Sequence, residues 1–241
     1  MPEFEDVEGF PSDGDHLPSV PFGQWERFVF AAVSPKLSLE DYLEPMIERI
    51  GWMPISSFWH DPSRAREYLI NANWALYIDN YLEGFHIPFI HAELNTTLDY
   101  GYYRSELFRT GNVQIGAASD GEFAFDLPKD SPDFGQSIAA YYFWLYPNTM
   151  FNFYPWGLSI NIVRPISHDR TKVSFIPYVW DDSKISSGAG AALDRVERED
   201  EVVVELVQKG LRSRLYDRGR YSPKRENGVH QFHCMLASDL G

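Results

Sequence analysis

Cysteine is nearly absent. Cys234 is the only thiol in 241 residues, so the chain can form no intrachain disulfide and cannot carry a cysteine-ligated iron–sulfur cluster of its own. The same scarcity points to a reducing compartment, the cytosol. Basic charge is also short: 21 Lys and Arg face 35 Asp and Glu, a formal charge of −14. Phosphate binding needs a basic face, so neither nucleic acid nor an anionic membrane is an expected partner. A cationic substrate or a basic protein would be tolerated, although acidity alone does no more than keep a protein dissolved. Long apolar runs are missing as well. The N-terminus is acidic and broken by Pro2, Pro11, Pro18 and Pro21, which matches neither a signal peptide nor a membrane span.

What is present suits one α+β domain over residues 1–241, with residues 1–24 as an extended lead-in. Hydrophobic residues reach 44% and aromatics 16%, enough for a sizeable core or an aromatic pocket. Trp25–Val33 reads as a buried strand, and Ser38 with Asp41 three residues on caps a short helix. A longer helix is expected from about Ala65 to His86. Seven short strands then follow, at 100–107, 112–117, 122–127, 139–146, 150–154, 158–165 and 171–180, with turn signals between them. Consecutive strands on short turns imply an antiparallel meander. The longest helix is expected over 189–215, its inner stripe made of Leu193, Val196, Val203, Val207 and Leu211. Asp200 falls on that stripe. The apolar tail through Leu236 reads as a last strand.

Chemistry concentrates in Asn73–His91. Asp79, Glu83 and His86 recur at helical spacing beside an apolar stripe of Ala75, Ile78, Leu82 and Phe85. On an unbroken helix His86 and His91 would stand about 140° apart at 3.6 residues per turn. A break at Pro88 could aim both rings at one point. Two histidines and a distant carboxylate are what an open mononuclear iron site requires. A His-x4-His pair alone is weak, since such pairs arise by chance. Asp79, Asn80 and Glu83 upstream and a core-facing Asp200 downstream strengthen it.

These residues bear a family resemblance. Asn73-Trp74, Asp79-Asn80-Tyr81-x-Glu83-Gly-Phe85-His86 and His91 resemble the catalytic domain of Rieske-type non-haem iron oxygenases. Glu199-Asp200-x4-Glu205-x2-Gln208-x-Gly210-Leu211 is similar to that family's ligand helix. The segments Tyr216–Ser222 and Phe232–Leu236 look most like the choline and carnitine monooxygenase branch. The resemblance implies a helix-grip (START-like) fold, a twisted antiparallel sheet around the long C-terminal helix. It implies Fe(II) held by His86, His91 and Asp200, and Glu83 as the bridge to a Rieske cluster on a neighbouring subunit. Asn80 would line the approach to the metal, and Tyr81 the substrate wall, where an aromatic can face a quaternary ammonium.

The departure from the family is the missing Rieske domain with its two cysteines and two histidines. The chain begins about where that domain would end, so a separately encoded catalytic subunit is expected ahead of an expressed fragment or a degenerate copy. Its [2Fe-2S] cluster would sit on a separate Rieske ferredoxin-like protein served by a reductase, and a homotrimer or hetero-oligomer is implied. The expected reaction uses dioxygen to hydroxylate a small organic substrate, a quaternary amine among the candidates. The alternatives are aromatic-ring dioxygenation at the same ligands and a metal-free START-like ligand-binding module. His230 and His233 read as structural residues on opposite faces of a strand. Cys234 reads as a core thiol, the run Glu197–Glu201 as solvated apart from Asp200, and Trp144, Trp156 and Trp180 as core.

Overall fold

An antiparallel meander organises the chain. The computed structural model describes residues 3–241, and they fall into two compact units divided between Leu43 and Glu44. In the first unit, strands β1 (Phe22–Trp25) and β2 (Phe28–Ala31) form a hairpin that turns at Glu26, whose φ is +54°. Side chains there alternate between exposed and half-buried, so the stretch expected as one buried strand is a half-solvated ribbon. Helix α1 (Leu39–Ile50) starts as its sequence indicates, with the Ser38 hydroxyl accepting from the Asp41 amide at 3.0 Å. Pro45 lies in the second turn of α1, later than its chemistry favours.

The second unit holds an eight-stranded antiparallel sheet. Strands β5 (Arg104–Phe108), β6 (Gly111–Ala117), β7 (Ile138–Leu145), β8 (Thr149–Tyr154), β9 (Gly157–Ser167) and β10 (Arg170–Val179) pair in sequence order. Two short strands, β3 (Trp59–His60) and β4 (Arg66–Ile70), both pair with the outer edge of β10. Six of the seven expected strands appear within a few residues of their places. Residues 122–127 form no strand, and Phe125 gives a single amide bond to the Ile138 carbonyl. The fold is therefore mixed α+β with a large antiparallel sheet.

A strand and one short helix replace the single helix expected over 65–86, and two more short helices follow it. Residues 66–70 are strand, because Tyr68 and Ile70 turn inward while Glu67 and Leu69 stay exposed, a period of two. Helix α2 (Trp74–Tyr81) follows, then α3 (Ile87–Ile90) and α4 (Ala92–Thr97). The helical break spans residues 82–86, with His86 at its end as the residue that leads into α3. Pro88 sits inside the first turn of α3, where its missing N–H costs nothing. Ile78 and Leu82 are buried as expected, but Phe85 lies beyond α2 and is exposed.

Helix α5 (Leu193–Leu211) crosses α2. Its inward face runs through Val196, Glu197, Asp200 and Val204, about one residue off the expected stripe, and Val207 and Leu211 are exposed. The tail is helix α6 (Asn227–Leu240) rather than a strand. Val229 and Phe232, three apart, are its buried anchors, and Gln231 donates to the Phe108 and Gly111 carbonyls at the end of the β5–β6 hairpin. On this helix His230 and His233 share a face, and Cys234 is exposed rather than a core thiol. Trp144 and Trp156 are buried, whereas Trp180 is partly exposed and stacks on Phe58. No described helix is long and apolar enough to cross a membrane.

Register across the sheet makes room for a site. Gln114 pairs with Tyr142, Tyr142 with Asn152, and Asn152 with Ser159, so four strands contribute one polar row to one face. On that face the row is flanked by two apolar clusters. One gathers Trp144, Met150, Val163 and Val173 with α2 and α6 residues. The other gathers Ala140, Tyr154, Trp156 and Val179 with Ile87 and Leu98.

Candidate metal centre

A cavity of ≈ 100 Å³ opens over the polar row, lined by Asn80, Tyr81, Glu83, His86, His91 and Asp200 among others. All six site residues expected from the sequence thus meet at one place.

The local chain explains the meeting. Asn73 caps α2 by accepting from the Ala75 amide at 2.9 Å. Just upstream, Glu205 Oε1 of α5 accepts from the Asn71 amide and side chain, and Gln208 Oε1 accepts from the Asn73 amide at 2.8 Å. These bonds tie α5 to the start of α2, and they set Asp200 beside Asn80, whose Nδ2 donates to Asp200 Oδ1 at 2.7 Å. After α2 the chain reverses through Gly84. A Cβ there would stand 2.3 Å from the Tyr103 ring, so only glycine lets the turn pass so close. Glu83 then organises the turn, one oxygen accepting from the Phe85 and His86 amides and the other 2.6 Å from His86 Nδ1. His91 leaves the helical region at ψ 79°, between α3 and α4, and its ring swings back to His86.

The two Nε2 atoms face each other at 3.1 Å. Asp200 Oδ1 lies 3.0 Å from His91 Nε2 and 3.5 Å from His86 Nε2. The three ligand atoms lie within 4.8 Å of one another. Each Nδ1 meets a carboxylate, His86 on Glu83 and His91 on Glu199 at 2.8 Å. A carboxylate accepts the Nδ1 proton, which turns both Nε2 lone pairs toward Asp200. Two lone pairs and an anion converging at such distances suit a cation, and the donor set with free sides is of the kind non-haem iron takes. His91 is only 2% exposed. Burial lowers its proton affinity, but the hydrogen bonds and charges of Asp200 and Glu199 outweigh that and raise it.

Around the donors the walls are aromatic and polar. Tyr81 donates to Asn152 Oδ1 at 2.6 Å, and its carbonyl accepts from Gln114. Burial pushes the phenols of Tyr77, Tyr81, Tyr103 and Tyr154 well above their ordinary range, which keeps them neutral. Asp79 faces away from the donors and meets His233 Nε2 at 2.8 Å.

Two acids had gone unassigned within the run expected to be solvated. Glu199 supports His91, and Glu197 is 3% exposed, accepting from the Tyr77 hydroxyl at 2.7 Å. Spacing held a signal for Glu197, since positions 197, 200 and 204 fall on one helical face.

Residues 55–241 match the family model described as the ring hydroxylating alpha subunit (catalytic domain). The chloroplastic choline monooxygenase of Arabidopsis thaliana is 37% identical over 183 residues, covering 73% of this chain and 41% of that protein. The carnitine monooxygenase oxygenase subunit of Escherichia coli (strain K12) is 28% identical over 248 residues, 97% of this chain and 64% of that one. Among solved structures, the quaternary ammonium Rieske monooxygenase CntA shares the fold at a TM-score of 0.74 and 21% identity, over 98% of this chain and 66% of that chain. The chain spans about half the length of the curated relatives it matches. Those matched residues carry the meander, the α2–α5 pair and all three converging donors, and the chain belongs to the family of ring-hydroxylating alpha subunits through its catalytic domain.

Proposed function

We propose that this chain is the oxygen-activating part of a Rieske-type oxygenase that hydroxylates a small organic substrate of the quaternary-amine class. The observation that carries the reading is the convergence of His86 Nε2, His91 Nε2 and Asp200 Oδ1, each backed by a hydrogen bond that fixes it. The family implies mononuclear iron in this domain, and the donor set fits it. Bound there, ferrous iron supplies dioxygen activation for insertion of oxygen into a C–H bond.

The chain's own residues do the rest. Glu83 and Glu199 hold the imidazole N–H groups, so the rings keep one tautomer and one orientation. Asn80 steadies Asp200 Oδ1 by a neutral donor. Tyr77, Tyr81 and Phe175 line an apolar wall that keeps water from the substrate. Glu83, which lies against His86 with its side chain 11% exposed, fits an electron link to a [2Fe-2S] Rieske cluster on another chain, itself reduced by a reductase. The carnitine monooxygenase relative is named as an oxygenase subunit, which supports a divided enzyme, and a homotrimer or hetero-oligomer follows from the same reading. The sheet with α5 lying over α2 is compatible with a helix-grip description. The lone cysteine supports the cytoplasm as its compartment, although the plant relatives are chloroplastic.

Turnover tests the reading. The iron-loaded chain, supplied with a Rieske protein, a reductase and dioxygen, is expected to hydroxylate or N-dealkylate choline-like amines. A cis-diol formed from an aromatic ring, with no product from the amines, would replace the substrate class.

A further inference from the structure

One buried acid of the cavity is left over from the metal centre. Glu197 lines the same cavity. Its Oε2 accepts from Tyr77, while its Oε1 is buried without a hydrogen-bond partner. A buried polar atom without a partner is costly and calls for an explanation.

Charge around the cavity narrows what could serve. Glu83, Glu197 and Asp200 line it, and no lysine or arginine does. Arg104, Lys224 and Arg225 instead line a second cavity of ≈ 320 Å³. Asp200 faces the two histidines and Glu83 is spent on His86, so Glu197 is the one carboxyl of the cavity lining not committed to the histidines. Aromatic side chains stand around the same space, including Tyr77, Tyr81 and Phe175, and ring faces attract cations.

Resting on the oxygenase reading above, we infer that Glu197 is the counter-charge of the substrate, its free Oε1 taking a compact organic cation that lacks a carboxylate, with the onium head among Tyr77, Tyr81 and Phe175. A zwitterion carrying its own carboxylate would find no basic partner in the cavity. Burial and the nearby Asp200 charge raise the proton affinity of Glu197, and an incoming cation reverses that penalty by supplying the missing opposite charge.

The test is calorimetric titration of the chain, with and without iron under anaerobic conditions, using three probes. These are choline, its uncharged carbon isostere dimethylbutanol, and the zwitterion carnitine. Wild type is expected to bind choline about tenfold or more tighter than either other probe, as one desolvated cation contact provides. Glu197→Gln keeps an acceptor for Tyr77 and is expected to lose the preference for choline over the isostere, with isostere affinity unchanged. Glu197→Asp, which keeps the charge, is expected to retain the preference. Equal binding of choline and isostere by wild type would overturn the inference, as would tighter binding of carnitine or an undiminished preference in Glu197→Gln. Metal content of the same samples reads the oxygenase proposal separately. Failure of wild type to take iron would overturn that reading, whereas a preference that ignores Glu197 bears on this inference alone.

Discussion

Removing the Glu199 carboxylate probes how far the metal centre depends on groups that never touch the metal. Glu199 Oε2 lies 2.8 Å from His91 Nδ1, and the ring is 2% exposed, so water cannot readily take over. In Glu199→Ala the imidazole can keep its proton on Nδ1 with no partner, or shift it to Nε2 and lose the lone pair that faces Asp200. Leaving a buried donor unpaired costs about 1–3 kcal/mol. Charged against binding, that is about a 10–100-fold loss of metal affinity, the range seen when such supporting partners are removed. Glu199→Gln retains an acceptor and is expected to lose less. The Arg195 contact at 3.3 Å on the other oxygen is exposed and adds little. Anaerobic competition for Fe(II) against a chelator measures the affinity, with circular dichroism to check folding. Glu199→Ala holding iron as tightly as wild type would refute the supporting role.

Three further outcomes follow from named contacts. Glu83→Gln is expected to keep iron yet lose turnover driven by the Rieske partner, with product partly restored by peroxide; equal defects with both oxidants would contradict an electron link through Glu83. Gly84→Ala forces a Cβ into the buried Tyr103 ring, whose hydroxyl is held by Gln114, and is expected to cost about 1–3 kcal/mol in urea unfolding. Asp79 raises the proton affinity of His233 through their hydrogen bond. The pair therefore stabilises the fold fully below the unfolded histidine pKa, and that contribution fades as pH rises through the folded one. Asp79→Asn should then lower Tm more at pH near 6 than at pH near 8.5; a pH-independent difference would remove the ion pair as its cause.

The site was more legible in the sequence than the elements that carry it. His86, His91, Glu83 and Asn80 lie within a dozen residues, and imidazoles packed with acids are too costly to bury without a purpose. Asp200 could be found because it interrupts an apolar helical face. Element limits depended on partners far along the chain. Residues 66–70 read as helix only while the pairing with β10 was unknown, although Tyr68 and Ile70 alternate as a strand requires. The tail carries a short apolar run that fits either period, and the Val229–Phe232 spacing was the sign of a helix. On α5 the valines and leucines suggested an inner stripe, yet Val207 and Leu211 face outward while Glu197 is buried. There the cavity and Tyr77 decide the burial of an acid, and its sign in the sequence is the helical face that position 197 shares with Asp200 and Val204. Pro88 marked a break correctly but at the wrong residue, since the turn is made by Glu83 and Gly84.

The central claim is that His86, His91 and Asp200 together hold one metal ion. Anaerobic loading with Fe(II), removal of the excess and metal analysis test it most directly, run on wild type and Asp200→Ala side by side. One iron per wild-type chain and almost none in a folded Asp200→Ala is the expected result. Full iron occupancy in Asp200→Ala, or none in wild type, would contradict it.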